Sequence, residues 1–333
     1  HVGLVDTLLD AGRCRRAPWV GRARPRPATP WITRRYDSAH TRPIDSYDGV
    51  MSDTTTSNTP GEQNRHDIDV LLAAAAQQPD VTIPAGWGQG RATFGGVVAG
   101  VLVARVLGEL AADPTSLRSL TVNFVAPASA GTAEVRVEVL RQGKSATQVE
   151  ARLVQPDDSG ESTVRAIALL TFGAQRDSKV ALDPTFDAGT RPAFEMLEAI
   201  PYIEPFTPEF IARVDLRPAS GVLPFSAATD GDLTGYMRFR ELTDDFSVAH
   251  LVTLIDAWPP AAGQMLHSPA PMSTMTWTLE FTAPVSSDPV TTWWYDVTTD
   301  AAHDGYAHSG ARIYDPASGA LVAISRQTVA LFG

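Results

Sequence analysis

Three side chains in the C-terminal half of the chain, Asp256, Thr274 and Gln327, are of types that could do chemistry together. A carboxylate can act as a base, while a hydroxyl and a carboxamide are neutral groups that both donate and accept hydrogen bonds. Such a set can hold a water molecule, orient its lone pair and take its proton, which is what hydrolysis of an activated acyl group requires. It includes no nucleophile paired with a base in the manner of Ser and His, so direct attack by water is the mechanism it suits.

Asp256 stands out because it breaks two rules at once. It lies in the last turn of the stretch Asp244–Pro260, in which Phe246, Val248, Ala249, Val252, Ile255 and Ala257 leave little polar face and predict a helix buried inside a sheet. A carboxylate in the last turn opposes the negative end of the helix dipole at a cost of ~0.3–1 kcal/mol. Burial adds to that cost unless hydrogen bonds offset it. Pro259 and Pro260 then stop the helix. A residue at odds with both dipole and burial is a candidate for chemistry.

Thr274 and Gln327 emerge from comparing the chain with itself. Ser119-Leu-Thr-Val-Asn-Phe-Val-Ala-Pro127 lines up with Thr276-Trp-Thr-Leu-Glu-Phe-Thr-Ala-Pro284, and Ala151-Arg152 before a Pro-Asp-Asp-Ser-Gly turn lines up with Ala311-Arg312 before Pro-Ala-Ser-Gly319. Both halves close alike, with Thr171-Phe-Gly173 and Leu331-Phe-Gly333. Two copies are too few for a solenoid, so the pattern implies a tandem duplication whose copies pack side by side. Where matched core positions differ in polarity, something other than packing chose the residue. Asp256 falls opposite Ala104, Gln327 opposite Ile167 and Thr274 opposite Leu117. Each also has a structural explanation: Asp256 as a capped or ion-paired residue, Thr274 as one of several strand threonines, Gln327 as the polar side of a strand facing solvent.

The elements that must position these residues can be read from periodicity. Helices are expected at Asp67–Gln77 and Phe94–Leu110, a strand and turn over Val81–Gly90, and strands at Ser119–Val125, Ala133–Leu140, Thr147–Val154 and Thr163–Phe172. In the second copy, strands at Phe206–Leu216 and Thr234–Leu242 precede the helix, and a short helix is expected around Phe194–Ile200 in the linker. Gly95, Gly96 and Gly100 cost helix stability, which implies close packing of the first helix on other backbone. Its N-terminal amides could hold an anion or an oxyanion, although Phe94-Gly-Gly lacks the spacing and Lys of a phosphate loop. His250 reads as a partnered helix histidine. The expected organisation is a disordered leader over 1–62, one copy over 63–175, a linker over 176–205 and the second copy over 206–333.

Composition narrows the classes further. With 44 % hydrophobic and 20 % charged residues in 333, a sizeable core can be buried. No apolar run approaches the ~20 residues of a membrane helix, so membrane insertion is not expected. The single cysteine, Cys14, rules out an intramolecular disulfide and a cysteine metal cluster and fits a reducing cytoplasm. Residues 1–50 hold nine arginines, no lysine and five aspartates, and lack a periodic apolar face. Met51 opens an ordinary polar run, so residues 1–50 read as an upstream extension rather than a targeting peptide. The remainder is more acidic than the net −11 of the whole, which disfavours nucleic-acid binding.

Taken together, several of these segments resemble a known family. The helix entered through Phe94-Gly-Gly-Val-Val-Ala-Gly, the strand ending Phe124-Val-Ala-Pro127 and Leu140-Arg-Gln-Gly-Lys-Ser145 are similar to the first half of the bacterial acyl-CoA thioesterase II family. Met237-Arg-Phe-Arg240, the helix ending near Asp256 and Leu321-Val-Ala-Ile-Ser-Arg-Gln327 resemble its second half. The resemblance covers roughly residues 80–333. It implies an α+β double hotdog fold, in which each of two tandem copies curls an antiparallel sheet around a long apolar helix. It further implies hydrolysis of acyl-CoA to free fatty acid and CoA in lipid metabolism, with no metal or other cofactor, and a water positioned by Asp256, Thr274 and Gln327. The family's Asp-His after the Thr is replaced here by Thr276-Trp277, and its Ala-Ser-Asp by Leu254-Ile-Asp256, departures that suggest a divergent actinobacterial-type branch. Two rival readings share the fold. A dehydratase needs a His in the first copy, and none occurs between His66 and His250; a non-catalytic acyl-binding protein is the other. Acyl length, CoA contacts and homo-oligomerisation stay open.

Overall fold

The structure, a computed structural model, describes residues 66–186, 191–241, 243, 246–285 and 292–332. The expected leader over 1–62 and Asp244 and Asp245 lie outside the described residues.

The first copy opens with helix α1 (Asp67–Gln77) and strand β1 (Asp80–Ile83), followed by a two-residue hairpin, β2 (Gly88–Gln89) and β3 (Ala92–Thr93). Helix α2 (Gly95–Leu110) comes next, then β4 (Leu117–Phe124), β5 (Gly131–Gln142), β6 (Ala146–Pro156) and β7 (Ser162–Gly173). The second copy consists of β8 (Val214–Ser220), β9 (Leu233–Phe239), helix α3 (Val248–Ile255), β10 (Met272–Phe281), β11 (Trp293–His303), β12 (Tyr306–Tyr314) and β13 (Leu321–Leu331). One antiparallel sheet runs through both copies in the order β1-β5-β6-β7-β4-β10-β13-β12-β11-β9-β8. This is a double hotdog: two strand meanders, each curled over a buried helix, fused edge to edge at β4 and β10.

The fusion is nearly two-fold symmetric, and the strand register shows it. Thr121 and Thr278, equivalent in the two copies, pair with each other, with their hydroxyl oxygens 3.2 Å apart. On either side Trp277 pairs with Val122 and Leu279 with Leu120, the reciprocal pattern of an isologous interface. Even the irregularities match: β4 has a bulge between Leu117 and Ser119 against β7, and β10 has one between Thr274 and Thr276 against β13.

The helices hold the interior together. In α2 every residue from Gly96 to Val106 is buried, which is why its sequence shows no polar face. It packs on α3 through glycines: a Cβ at Gly96 would lie 2.3 Å from the Thr253 carbonyl oxygen, and one at Gly100 2.2 Å from Thr253 Oγ1. The close approach that the glycines imply in the sequence is thus to the second copy's helix. Ser247 begins α3, where the His250 Nδ1 accepts from the Ser247 amide at 3.1 Å. The opposite ring nitrogen, Nε2, then carries the proton and donates to Asp69 Oδ1 of α1 at 2.9 Å.

Two expectations need correction. No strand spans Phe206–Leu216: Glu209–Ala212 is a turn of 3-10 helix that buries Phe210 against Phe94, and the strand starts at Val214. It then continues through Pro218, which an edge strand tolerates. Helix α3 has eight residues against sixteen in α2, so only the first copy has a long one. The segment between the copies is also less featureless than its Pro and charge content implies. Phe186 packs on Trp294 and Tyr314, while Phe194 sits between the guanidinium groups of Arg217 and Arg238, 4.0 and 4.1 Å from their carbons. This segment covers the outer face of the second copy's strands.

Candidate active site

Asp256 is the C-cap of α3, in helical backbone geometry, where the short helix gives out before Pro259 and Pro260. Its carboxylate does not stay at the negative pole. Because α2 and α3 pack with Gly96 beside Thr253, the end of α3 abuts the start of α2, and the carboxylate crosses to it. The Gly96 amide donates to Asp256, and Oδ2 lies 2.8 Å from where a Cβ on Gly95 would be. The anion held at the head of α2 is therefore the protein's own. The favourable pole of one helix offsets the unfavourable pole of the other.

Gln327 reaches the same carboxylate from β13, donating from Nε2 to Oδ1 at 2.8 Å. It shares the interior face with Ser325 and Val329, so it does not face solvent. Strand pairing also revises its counterpart. Gln327 pairs with Trp277 as Leu170 pairs with Leu120, which puts Leu170, and not Ile167, in the matching place. Ile167 pairs with the exposed Asn123 and sits on the other face of its strand. The contrast of polar with apolar survives the change. For Thr274 the match with Leu117 holds, because both residues immediately precede the equivalent bulges. A bulge re-aims the side chains beside it.

Asp256, Thr274 and Gln327 all line one cleft of about 250 Å³. Its walls come from both copies: Gly95, Phe124 and Arg165 from the first, Trp258 and Met272 from the second. Asp256 keeps some solvent contact through this cleft while protein surrounds it elsewhere. Burial pushes its pKa up to about 7, against the opposing pull of the Gln327 and Gly96 hydrogen bonds. A carboxylate poised near neutrality beside a cleft with room for water is suited to take a proton.

Sequence reasoning did not single out Arg165 or Trp258 as cleft residues. Trp258 stacks on Tyr295 at 5.9 Å between ring centres and shapes the floor. Its position two residues after Asp256 was the available signal. Arg165 had none, since β7 shows an ordinary alternation around it. His250 is a tie between α3 and α1, as its sequence context suggests. Among the described residues no helix is long and apolar enough to cross a membrane.

Residues 83–173 match the acyl-CoA thioesterase N-terminal domain and residues 189–331 the acyl-CoA thioesterase C-terminal domain. Comparison with curated proteins gave no match. Among solved structures, a protein of unknown function with a hot dog fold from Alicyclobacillus acidocaldarius superposes with a TM-score of 0.69 at 20% identity, covering 81% of this chain and 99% of its own. An acyl-CoA thioesterase II from Mycobacterium marinum gives 0.61 at 16% identity, covering 79% of this chain and 98% of its own. At such identities these likenesses speak for the fold. The two domain matches, in order and over more than half of the sequence, go further: this chain belongs to the acyl-CoA thioesterase family.

Proposed function

We propose that the chain hydrolyses acyl-CoA thioesters to a free fatty acid and CoA by direct attack of water, with Asp256 as the base and Thr274 and Gln327 as the groups that position the water. In this reading the water lies among the three side chains and its oxygen attacks the thioester carbonyl carbon. Its proton passes to the Asp256 carboxylate, the C–S bond breaks, and the proton goes on to the departing CoA sulfur. Gly95 lines the cleft at the head of α2, so its backbone amide is the donor suited to the carbonyl oxygen as it gains negative charge, while the pole of the helix serves Asp256. Arg165 is a cation on the same wall, suited to the phosphates of CoA in a body that is otherwise acidic.

The observation that carries the reading is the 2.8 Å bond from Gln327 to Asp256 inside a shared cleft. It holds one carboxylate oxygen in place, while burial raises the pKa of the group to about 7. The test is release of free thiol from a panel of saturated, branched and aryl acyl-CoA esters by the full chain and by Asp256→Asn. Turnover by the parent, with loss of turnover but retained acyl-CoA binding in the variant, supports it. Binding without turnover in both would leave an acyl-binding protein.

A further inference from the structure

A second, smaller groove adjoins the cleft. Pro260 lines both, and the groove is walled by Pro218, Val222, Leu223, Pro224 and Leu233. Gln264, the groove's polar side chain, is fully occupied: its oxygen accepts from the Val222 amide at 2.5 Å and its nitrogen donates to the Ala261 and Asp232 carbonyls. What remains facing the groove is hydrocarbon. Val222 and Leu223 are 39 % and 41 % exposed at its rim.

Met272 lines the cleft and reaches toward the groove. Its Sδ and Cε lie 2.8 and 3.0 Å from the place a Cβ would take on Gly263, and Pro224 of the groove lies 3.7 Å from the same point. A flexible thioether and a glycine backbone thus lie close to the groove wall. At about 10 Å³ the groove is nearly shut, with room for a single water. Methionine is the side chain best able to swing aside, having no branch and a soft, polarisable sulfur.

We infer that the groove receives the far end of a straight polymethylene acyl chain and that Met272 sets how long a chain the cleft accepts. This rests on the thioesterase reading above and names its substrate class. The groove offers no polar partner for a hydroxylated or charged acyl group, and it is too narrow for an aromatic one. Continuity through Pro260 makes the acyl chain, already held at its thioester end, the occupant.

The experiment measures kcat/KM for saturated acyl-CoAs from butanoyl to hexadecanoyl with the full chain, Met272→Ala and Leu223→Asp. Met272→Ala should raise the ratio of long to short substrate by about three- to fourfold for each methylene that gains apolar contact. Leu223→Asp, at the exposed rim, should lower the same ratio, and it keeps the test decisive should the first variant fold poorly. Unchanged ratios in both variants, or a lower ratio in Met272→Ala or a higher one in Leu223→Asp, overturn the inference while leaving the hydrolase standing. A parent that hydrolyses no member of the series takes down both.

Discussion

The two copies share strands, bulges and a near two-fold axis, yet use matched interior positions in different ways. Around its helix the first copy puts Ala104, Leu117 and Leu170, all buried and apolar. The second puts Thr274 and Gln327 in the places of Leu117 and Leu170, and its helix stops two turns sooner, at Asp256. The early stop allows a carboxylate to leave the end of α3 and meet the head of α2. Symmetry supplies the frame, and departure from symmetry supplies the site.

The contrast is tested most severely by Asp256→Asn. It should cost about 10²–10⁴-fold in kcat/KM, the usual contribution of a general base. In the parent the activity should rise with pH through about 7, and that limb should vanish in the variant. Stability should move the other way. The folded pKa lies above the unfolded one, so the folded state binds the extra proton and loses stability as pH rises from about 4 to about 7. Asn lacks this loss, so the variant should be more stable at pH 8, by on the order of a few kcal/mol in denaturant titrations.

Gln327→Leu makes the second copy imitate Leu170. It should lower kcat/KM by roughly 10–100-fold, about the worth of a hydrogen bond to a charged group. Without the Nε2 donor the acid limb should also shift to higher pH, and an unmoved limb would mean that the bond does not tune the carboxylate. Gly96→Ala tests the frame itself. A methyl 2.3 Å from the Thr253 carbonyl forces the helices apart, at about 1–3 kcal/mol on a chemical denaturation curve. The smallest effect is expected at His250→Gln, which disturbs the link from Ser247 to Asp69 by about 1 kcal/mol and leaves kcat of the folded protein unchanged. A large fall in kcat there would extend the site beyond its cleft.

Much of this was written in the chain. The duplication was visible because Phe-x-Ala-Pro and the Ala-Arg turn recur, and they recur because both copies build the same strand at the same joint. Asp256 was legible as a residue in the wrong electrostatic place. What the sequence hid was relational. Ile167 and Leu170 are both apolar, so only pairing across strands could show which one lies opposite Gln327. The Phe206–Leu216 misreading arose because Phe210 and Ile211, buried in a single turn of helix, form a short apolar run that a buried strand would also show. Arg165 enters the cleft through the path of β7, which leaves no local trace.

Since the cleft draws Gly95, Phe124 and Arg165 from one copy and its polar trio from the other, the stretch joining Gly173 to Val214 acts as a tether that fixes local concentration. A chain severed there would behave as a heterodimer, inert at high dilution and competent only once β4 and β10 zipped together again.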